Sequence, residues 1–478
     1  MARAVVALLW LSSACALQLQ PLLKPPRAAD AARSRRPQPI AQATAEPAPT
    51  LTGSLVAGTY TGVMQFTFAA ACASIIFAPV GLPLSIGIQH CLFGFVVTQA
   101  IVAKTTTVRG GVALAVPSFE VLPFLAKFAV IVAGAVGTGA GPGVVLATVL
   151  AGSILANALA AVLLTVASEL PVDNIDSLLP PPLQAGLFAA IGWSLYLLSF
   201  DTLGLGFTAS ALFTAQAARL WVPANLLGVG LWRASRKLDT PLLIPAFILG
   251  VTALVHGVRL GTGASIVAAR SAGWLMAEVV GEPATALWGA LSPALVRWDV
   301  IFSRPALTQL VCAALFGPLV NTVLNFVLYG PMIKQKLDLK RELKSHALGA
   351  AAAAATGGYS NYIGLSDTAI HRKIGGLDRF SCYAGAAVGA LFLLAYPLCG
   401  LVGYIPSLAI AAICVYVGCD FLYDNLIDAT RANGIRAGLA AAAVLLISVR
   451  KDMLTGSLVG IAGARAYGWW ERRRQKAP

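Results

Sequence analysis

Long runs without a charged side chain constrain this sequence more than any other feature. The first run extends from Leu51 to Val80, and comparable apolar runs follow it almost to the end of the chain. A helix needs about 20 apolar residues to cross a bilayer. Only 11% of the 478 residues are charged, whereas soluble domains carry roughly 25%. The sequence therefore predicts an all-α polytopic membrane protein and excludes a soluble enzyme or a disulfide-stapled secreted domain.

The apolar runs divide into about fourteen transmembrane segments, an even number that places both termini on one side of the membrane. Lysine and arginine follow most even-numbered segments, as expected when positive loops stay on one side. This distribution accounts for the net charge of +14 without a nucleic-acid partner. The predicted segments are 51–80, 83–103, 112–132, 143–167, 183–200, 211–232, 242–258, 306–330, 347–358, 364–374, 384–398, 405–417, 437–448 and 454–470.

No sequence motif for a metal or a cofactor occurs in the chain. The eight cysteines form no CxxC pair and lie mostly within apolar runs, which is typical of small buried side chains. The histidines lack metal-ligand spacing, and the sequence contains neither a phosphate-binding loop nor a nucleophile elbow. We therefore expect no metal, no cofactor and no enzyme activity.

The first fifty residues differ from the rest and predict targeting rather than transport chemistry. Residues 1–16 have the short positive start, the apolar stretch and the small-residue cleavage site of a signal peptide. Residues 17–50 are rich in proline, alanine and arginine, which is typical of a transit peptide or of a disordered linker. The first alternative predicts a plastid membrane, and the second predicts a secretory-pathway or plasma membrane.

Segments three and ten stand out because a non-helical stretch of small residues precedes each. These stretches are 105–116, which runs into Pro117, and 356–364. Proline is favoured in the first turn of a helix. Interrupted apolar segments in both halves of a transporter indicate its central binding site, and two facing helix N-termini would offer free N–H groups to an anion. Alternatively, both stretches are glycine-rich loops between ordinary helices.

Four stretches of the sequence form an ordered pattern. They are Ala57-Gly58 through Ala78, Pro241 through Trp274, Asp338 through Ala369 with the Thr356-Gly-Gly358 turn, and Tyr404-Ile-Pro406 through Gly418. In this order they resemble the transport region of the sulfate permease (SulP) family of anion transporters, over about residues 54–470. The resemblance is strongest to a little-studied branch that lacks the family's cytosolic STAS domain. The transport domain is thus predicted over 51–470, with a basic tail over 471–478.

The resemblance implies two inverted seven-helix repeats, in which a core domain moves against a gate domain. It also implies that substrate binds between the starts of the third and tenth helices. The matching positions are Pro117, Ser118 and Phe119 on one side, and Gly364, Leu365, Ser366 and Thr368 on the other. Many animal members carry an arginine directly after this serine, whereas this chain carries Asp367. A carboxylate repels a bare anion unless a cation or a proton accompanies it.

Polar residues within the apolar segments suggest how transport is coupled. Ionisable groups in a membrane span are costly and usually face a partner or a cavity. Glu120 is predicted to carry a proton or to hold a coupling cation, whereas Lys127 is predicted to reach the interface or a structural ion pair. Asn321 and Asn325 share one helical face and, with Asp367, would supply oxygens to a coupling cation. The alternative is that both asparagines form interhelical hydrogen bonds.

Together these features predict a secondary active transporter of a small inorganic anion, of the sulfate or bicarbonate class, that works by alternating access within lipid. Coupling to a cation or a proton, and assembly as a homodimer, stay open. The alternative is a proton-coupled symporter of a nucleobase or another weak acid, which Glu120 and Asp367 favour. A third hypothesis is a membrane-embedded enzyme or a structural protein without transport. No paired-acid or metal cluster in the sequence supports the enzyme.

Overall fold

The computed structural model describes residues 48–137, 141–170, 180–238, 240, 243–333 and 335–475. The predicted signal peptide and almost all of the predicted linker lie outside these residues. Long apolar helices dominate the described part of the chain. The all-α membrane fold that the apolar runs predict is therefore confirmed.

The helices and strands are numbered in chain order. The helices are α1 Leu51–Phe77, α2 Leu84–Thr105, α3 Leu122–Val136, α4 Pro142–Glu169, α5 Pro181–Thr202, α6 Ala209–Leu212, α7 Ala215–Ser235, α8 Leu243–Gly261, α9 Ile266–Ser271, α10 Ala286–Ala290, α11 Trp298–Ile301, α12 Arg304–Ala314, α13 Val320–Met332, α14 Leu339–Ala355, α15 Leu365–Ile374, α16 Arg379–Leu394, α17 Ser407–Leu422, α18 Ala429–Asn433, α19 Ile435–Arg450 and α20 Met453–Gln475. The strands are β1 Ala115–Pro117 and β2 Asn361–Ile363. A π-helical turn, Leu315–Leu319, joins α12 to α13, and a 3₁₀ turn, Phe119–Val121, precedes α3.

Eight helical stretches among the described residues are long and apolar enough to cross a membrane. A ninth candidate is the pair α15 and α16, which is bent by 109° where the two helices meet. The other predicted segments correspond to shorter, broken or more polar helices, so the structure does not contain fourteen separate spans by this measure. The difference arises because hydropathy along the sequence cannot separate a full span from a half-span.

Several predicted boundaries are wrong because helix caps lie in polar sequence. Segment nine was predicted to begin at residue 347, but α14 begins at Leu339, where the Asp338 side chain accepts a hydrogen bond from Arg341 N. Segment eleven was predicted from residue 384, but α16 begins at Arg379 after the Asp378 cap. Segment six is two helices, because the Thr214 side chain caps a new helix at Ala215. Such caps satisfy the free N–H groups of a first turn wherever the turn lies.

The long helices pack in two groups. One group is built mainly from α1, α2, α4, α14 and α16, and the other from α5, α7, α17, α19 and α20. Small residues bring the helices together: a Cβ atom added at Gly58 of α1 would lie 2.5 Å from the Cβ of Ala384 in α16. Close backbone approach of this kind is how helices associate within lipid. Both strands belong to the first group, where β1 contacts α1 and α2.

A buried carboxylate holds the loop that leads from α2 to β1. Glu342 of α14 is fully buried and accepts hydrogen bonds from Thr106 Oγ1 at 2.7 Å, Thr107 N at 2.6 Å and Thr107 Oγ1 at 2.5 Å. Hydrogen bonds from several donors offset the cost of burying this charge. Glu342 thereby fixes the start of the chain segment that ends in β1.

Glu342→Ala is expected to lower the free energy of unfolding by about 2–3 kcal/mol, because three donors lose their acceptor. The matched control is Glu278→Ala, since the Glu278 side chain is 73% exposed and pairs only at the surface with Arg270. Thermal melting of the detergent-solubilised variants measures the difference. Equal melting temperatures for the two variants would show that the Glu342 contacts do not stabilise the fold.

Candidate functional site

Two short strands bring the starts of two half-helices side by side. β1 and β2 pair antiparallel, with Ala115 opposite Ile363, Val116 opposite Tyr362 and Pro117 opposite Asn361. The pairing continues beyond both ends of the ladder. Ser118 N donates to Ser360 O at 3.1 Å, and Gly364 N donates to Leu114 O at 3.0 Å.

The interrupted segments predicted from the sequence are therefore present, and their backbone polar groups bond to each other. Non-helical backbone at membrane depth is tolerated where protein or a water-filled cavity covers it. One expectation is wrong: Pro117 does not lie in the first turn of a helix. It is the last residue of β1, and helical structure begins with the turn at Phe119. Pro117 fits there because the strand has only one neighbour and needs no N–H at this position.

The residues predicted at the start of the third helix lie together after β1. Ser118 is fully buried, and its carbonyl accepts a hydrogen bond from Tyr359 Oη at 2.7 Å. Phe119 is half-buried and contacts the ring of Phe68 edge to face, with centroids 5.3 Å apart. This turn therefore presents one buried hydroxyl and one accessible aromatic ring.

The residues predicted at the start of the tenth helix lie at the N-terminus of α15. Gly364 is the N-cap residue, and Leu365 is the half-buried first residue of the helix. Ser366 is exposed and Thr368 is fully buried. The Thr368 hydroxyl donates to Gly364 O at 2.6 Å and accepts from Leu114 N at 3.1 Å. Thr368 thus fastens α15 to the chain before β1, and Ser366 is the accessible hydroxyl of this group.

A single carboxylate joins the two segments. Glu120 is only 4% exposed. Its Oε1 atom accepts from Tyr362 Oη of β2 at 3.0 Å, and its Oε2 atom accepts from Ser118 Oγ at 3.2 Å. The sequence placed Glu120 near the site, and the structure adds that its carboxylate bridges the junction itself.

The second carboxylate of the site lies on α15. Asp367 is half-buried in the first turn of this helix. A Cβ atom added at Gly364 would lie 2.8 Å from Asp367 Oδ2, so the carboxylate stays beside its own helix start. An acidic side chain in the first turn is stabilised by the helix dipole. The same position reduces the positive potential that an incoming anion would meet.

The two predicted asparagines of α13 have different partners. Asn325 Nδ2 donates to Ile363 O at 2.6 Å, so this side chain reaches β2. Asn321 Nδ2 donates to Phe316 O at 2.8 Å, within the π-helical turn that precedes α13. The structure therefore brings Asn325 to the junction and leaves Asn321 bonded within its own segment.

The π-helical turn lies directly against the start of the third helix. A Cβ atom added at Gly317 would lie 2.1 Å from Val121 Cγ2 and 3.0 Å from Ser118 Oγ. Single π-helical turns are frequent at functional sites. The nearby Thr322 is fully buried, and its hydroxyl has no partner among the described residues.

Sequence analysis missed the neutral side chains that hold the strands. Gln99 of α2 accepts from Ala115 N at 2.8 Å and donates to Ala113 O at 3.1 Å. Tyr329 Oη donates to Val112 O at 3.1 Å, and Tyr359 and Tyr362 form the contacts described above. The two tyrosines of the 356–364 stretch were visible in the sequence as polar aromatic residues within an interruption. No sequence signal marks Gln99.

The remaining polar residues do not add a metal-binding cluster. No group of three or more histidine, cysteine, aspartate or glutamate side chains that could hold a metal ion occurs in the described parts of the chain. Lys127 lies about two turns beyond Glu120 and is exposed in the wall of a cavity. The junction thus combines two helix starts, the hydroxyls of Ser118, Ser366 and Thr368, and the carboxylates of Glu120 and Asp367.

A polytopic helical bundle in which two broken segments begin side by side is the architecture of a membrane transporter. Residues 231–443 match the model of the sulfate permease family. The matched residues are less than half of the chain, so the comparison shows similarity to this family, whose members are transporters rather than enzymes. The resemblance predicted from the sequence is therefore confirmed.

Solved structures of anion transporters share this fold. The transmembrane domain of the cyanobacterial bicarbonate transporter BicA is 17% identical, with a TM-score of 0.59, 86% of this chain covered and 97% of that domain covered. Murine Slc26a9 in its inward-facing state is 12% identical, with a TM-score of 0.61 and coverages of 94% and 73%. A further SLC26A9 structure is 13% identical, with a TM-score of 0.59, 88% of this chain covered and 66% of that chain covered. No curated protein sequence matches the chain.

Proposed function

We propose that the chain is a secondary active transporter of a small inorganic anion, of the sulfate or bicarbonate class, which works by alternating access. The observation that carries the proposal is the β1–β2 pairing, because it sets two helix starts at one point inside the bundle. Free N–H groups and the positive ends of helix dipoles favour an anion there. The proposal is supported by the fold shared with a bicarbonate transporter and an anion transporter.

In this proposal the anion lies between the turn at Phe119 and the first turn of α15. Pro117, Ser118 and Phe119 form one wall, and Gly364, Leu365, Ser366 and Thr368 form the other. Ser366 is exposed whereas Ser118 and Thr368 are buried. The Ser366 hydroxyl and the N–H groups beside it are therefore the donors that a substrate meets first.

The two carboxylates require a positive partner for a bound anion. Glu120 and Asp367 would each repel an anion at the junction, and this repulsion is strong in a medium of low dielectric constant. A cation or a proton that binds together with the substrate removes this repulsion. Asn321 and Asn325 donate through their nitrogen atoms, which leaves their amide oxygens as acceptors for a cation. We therefore propose coupled transport rather than simple anion exchange.

One observation favours a second candidate, a proton-coupled symporter of a nucleobase or another weak acid. Glu120 is buried and bonded to both half-helix segments, so its protonation would alter the junction directly.

Residues 1–50 remain the basis of a proposed plastid location, and a homodimer remains a proposal.

Uptake of labelled sulfate or bicarbonate into proteoliposomes tests the main proposal. Wild-type protein is expected to take up at least one anion, and Ser366→Ala is expected to raise the KM about tenfold, since a hydrogen bond to a charged group contributes about 1.5–3 kcal/mol. Ser457→Ala is the matched control, because the Ser457 hydroxyl bonds only to Met453 O in its own helix. No uptake of either anion, with Ser366→Ala indistinguishable from wild type, would refute the proposal.

A further inference from the structure

A cavity of about 630 Å³ lies apart from the half-helix junction. It is lined by α3 and α12, which pack against α1 and α4 of the first group, and by α5 and the turn that joins α19 to α20 in the second group. None of the substrate-binding residues predicted from the sequence lines it. Its charged and polar lining includes Lys127, Asp201, Gln309, Ser448, Lys451 and Asp452.

Two stacked aromatic rings lie between a wall of this cavity and the π-helical turn beside the junction. Phe124 and Phe316 are stacked with centroids 6.1 Å apart, and both are almost completely buried. Phe124 lies in the cavity wall. Phe316 precedes Gly317, which packs against Ser118. This pair of rings therefore links the cavity wall to the turn that packs against Ser118.

Lys127 is a cation in the cavity wall. It lies on α3, the helix that follows the Phe119–Val121 turn of the junction. It is exposed, about two turns or 10 Å from Glu120 along α3. Asp452 also lines the cavity and carries a charge opposite to that of Lys127. However, the Asp452 carboxylate caps α20 by accepting from Thr455 N and Thr455 Oγ1, both at 2.8 Å. The Lys127 ammonium therefore faces the cavity beside a carboxylate whose oxygens already have donors.

A neutral side chain in the same wall fits an oxyanion. Gln309 of α12 lines the cavity and is 8% exposed. Ser448 of α19 also lines the cavity, but its hydroxyl oxygen is buried against Gly456 of α20. The Lys127 ammonium and the Gln309 amide together offer several donors, which is the chemistry that recognises a small oxyanion.

The other charges of the cavity lie on the opposite packing group. Asp201 lies in the last turn of α5, and Lys451 follows α19. Both are exposed, so water screens them more than it screens a buried group. Asp201 disfavours an anion near α5 and thereby restricts it to the α3 side, where Lys127 lies.

We propose that this cavity is a vestibule site, in which Lys127 and Gln309 hold a small oxyanion before it passes Phe124 and Phe316 to reach the junction. The inference rests on the proposed function for the identity of the anion. A positively charged site before the junction is needed because the Glu120 and Asp367 carboxylates of the junction oppose the approach of an anion. A cation at the mouth of a low-dielectric cleft raises the local concentration of anions and their association rate.

Transport kinetics test the vestibule site. Lys127→Gln is expected to raise the KM for sulfate or bicarbonate about tenfold and to weaken its dependence on ionic strength, with kcat unchanged. Lys127→Arg is expected to retain wild-type behaviour. Lys104→Gln, at the end of α2, is the matched control because it removes an exposed lysine outside the cavity. A Lys127→Gln variant with wild-type KM and salt dependence would overturn the proposal.

A binding measurement separates failure of the vestibule site from failure of the proposed function. Val449→Cys places a thiol in the cavity wall, and a neutral water-soluble maleimide labels it, with wild-type protein giving the background. Sulfate or bicarbonate is expected to slow labelling at least threefold, and Lys127→Gln in the same chain is expected to abolish this protection. Protection without uptake by wild-type protein would keep the vestibule site and refute transport. Uptake without protection, or a thiol that the maleimide does not reach, would overturn the vestibule site.

Discussion

Gly94→Ala is expected to destabilise the protein by about 3 kcal/mol and to abolish transport. Gly94 lies where α2 crosses the chain that enters β2. A Cβ atom there would lie 2.2 Å from Tyr359 O, 2.7 Å from Tyr359 N and 2.7 Å from Asn361 Nδ2. Backbone atoms cannot rotate away from a new methyl group as a flexible side chain can, so the segment itself must move.

The segment has little freedom to move. Tyr359 N donates to His90 O at 2.8 Å, and Tyr359 Oη donates to Ser118 O at 2.7 Å. Displacing Tyr359 therefore pulls on α2 and on the start of the third helix together. The register of β1 on β2, on which the junction depends, would be lost with it.

Gly134→Ala is the matched control for this prediction. Gly134 lies within α3, and no atom lies within 4 Å of the position that a Cβ would occupy. Alanine there is expected to leave stability unchanged or to raise it by about 0.5–1 kcal/mol, because glycine is unfavourable inside a helix. Thermal melting and proteoliposome uptake are measured for both variants. Similar melting and uptake for the two would show that the close approach at Gly94 is not required.

The interruptions of the two half-helices were predictable because they have a composition of their own. Glycine, serine and tyrosine between Thr356 and Gly364 cannot continue an apolar helix, and the same holds for residues 105–116. That both interruptions lie at one point was expected from the general architecture of transporters. Their pairing as strands was not predictable, because three residues are too few to show the alternation of a strand.

The supporting side chains were hidden for a different reason. Gln99 lies within a predicted apolar segment. Only the fold shows that its side chain accepts a hydrogen bond from Ala115 N and donates one to Ala113 O. Asn321 and Asn325 share a helical face in the sequence, yet the π-helical turn gives Asn321 an acceptor in its own segment. Long-range contacts of this kind depend on packing rather than on local pattern. Candidate residues are therefore more predictable than the partners that position them.

Glu120→Ala is expected to destabilise the protein by about 2–3 kcal/mol and to reduce uptake by at least tenfold. The Glu120 carboxylate accepts from both Tyr362 Oη and Ser118 Oγ, so its removal leaves two donors without an acceptor in a buried site. Tyr362→Phe removes one of these donors and is expected to cost about 1 kcal/mol. Tyr196→Phe is the matched control, because it loses one hydrogen bond, to Asn225 Oδ1, in the other packing group.

Glu120→Gln separates the structural contribution of this residue from coupling. Glutamine keeps the size of the side chain and one acceptor oxygen, so the fold is expected to survive and the charge alone is lost. If Glu120 carries the coupled proton, wild-type uptake rises with an inward proton gradient and Glu120→Gln uptake ignores the gradient. If it holds a cation, the same contrast follows a sodium gradient at constant pH. A variant that matches wild type in rate and in both gradient responses would leave Glu120 as a purely structural bridge, and coupling would then have to depend on Asp367.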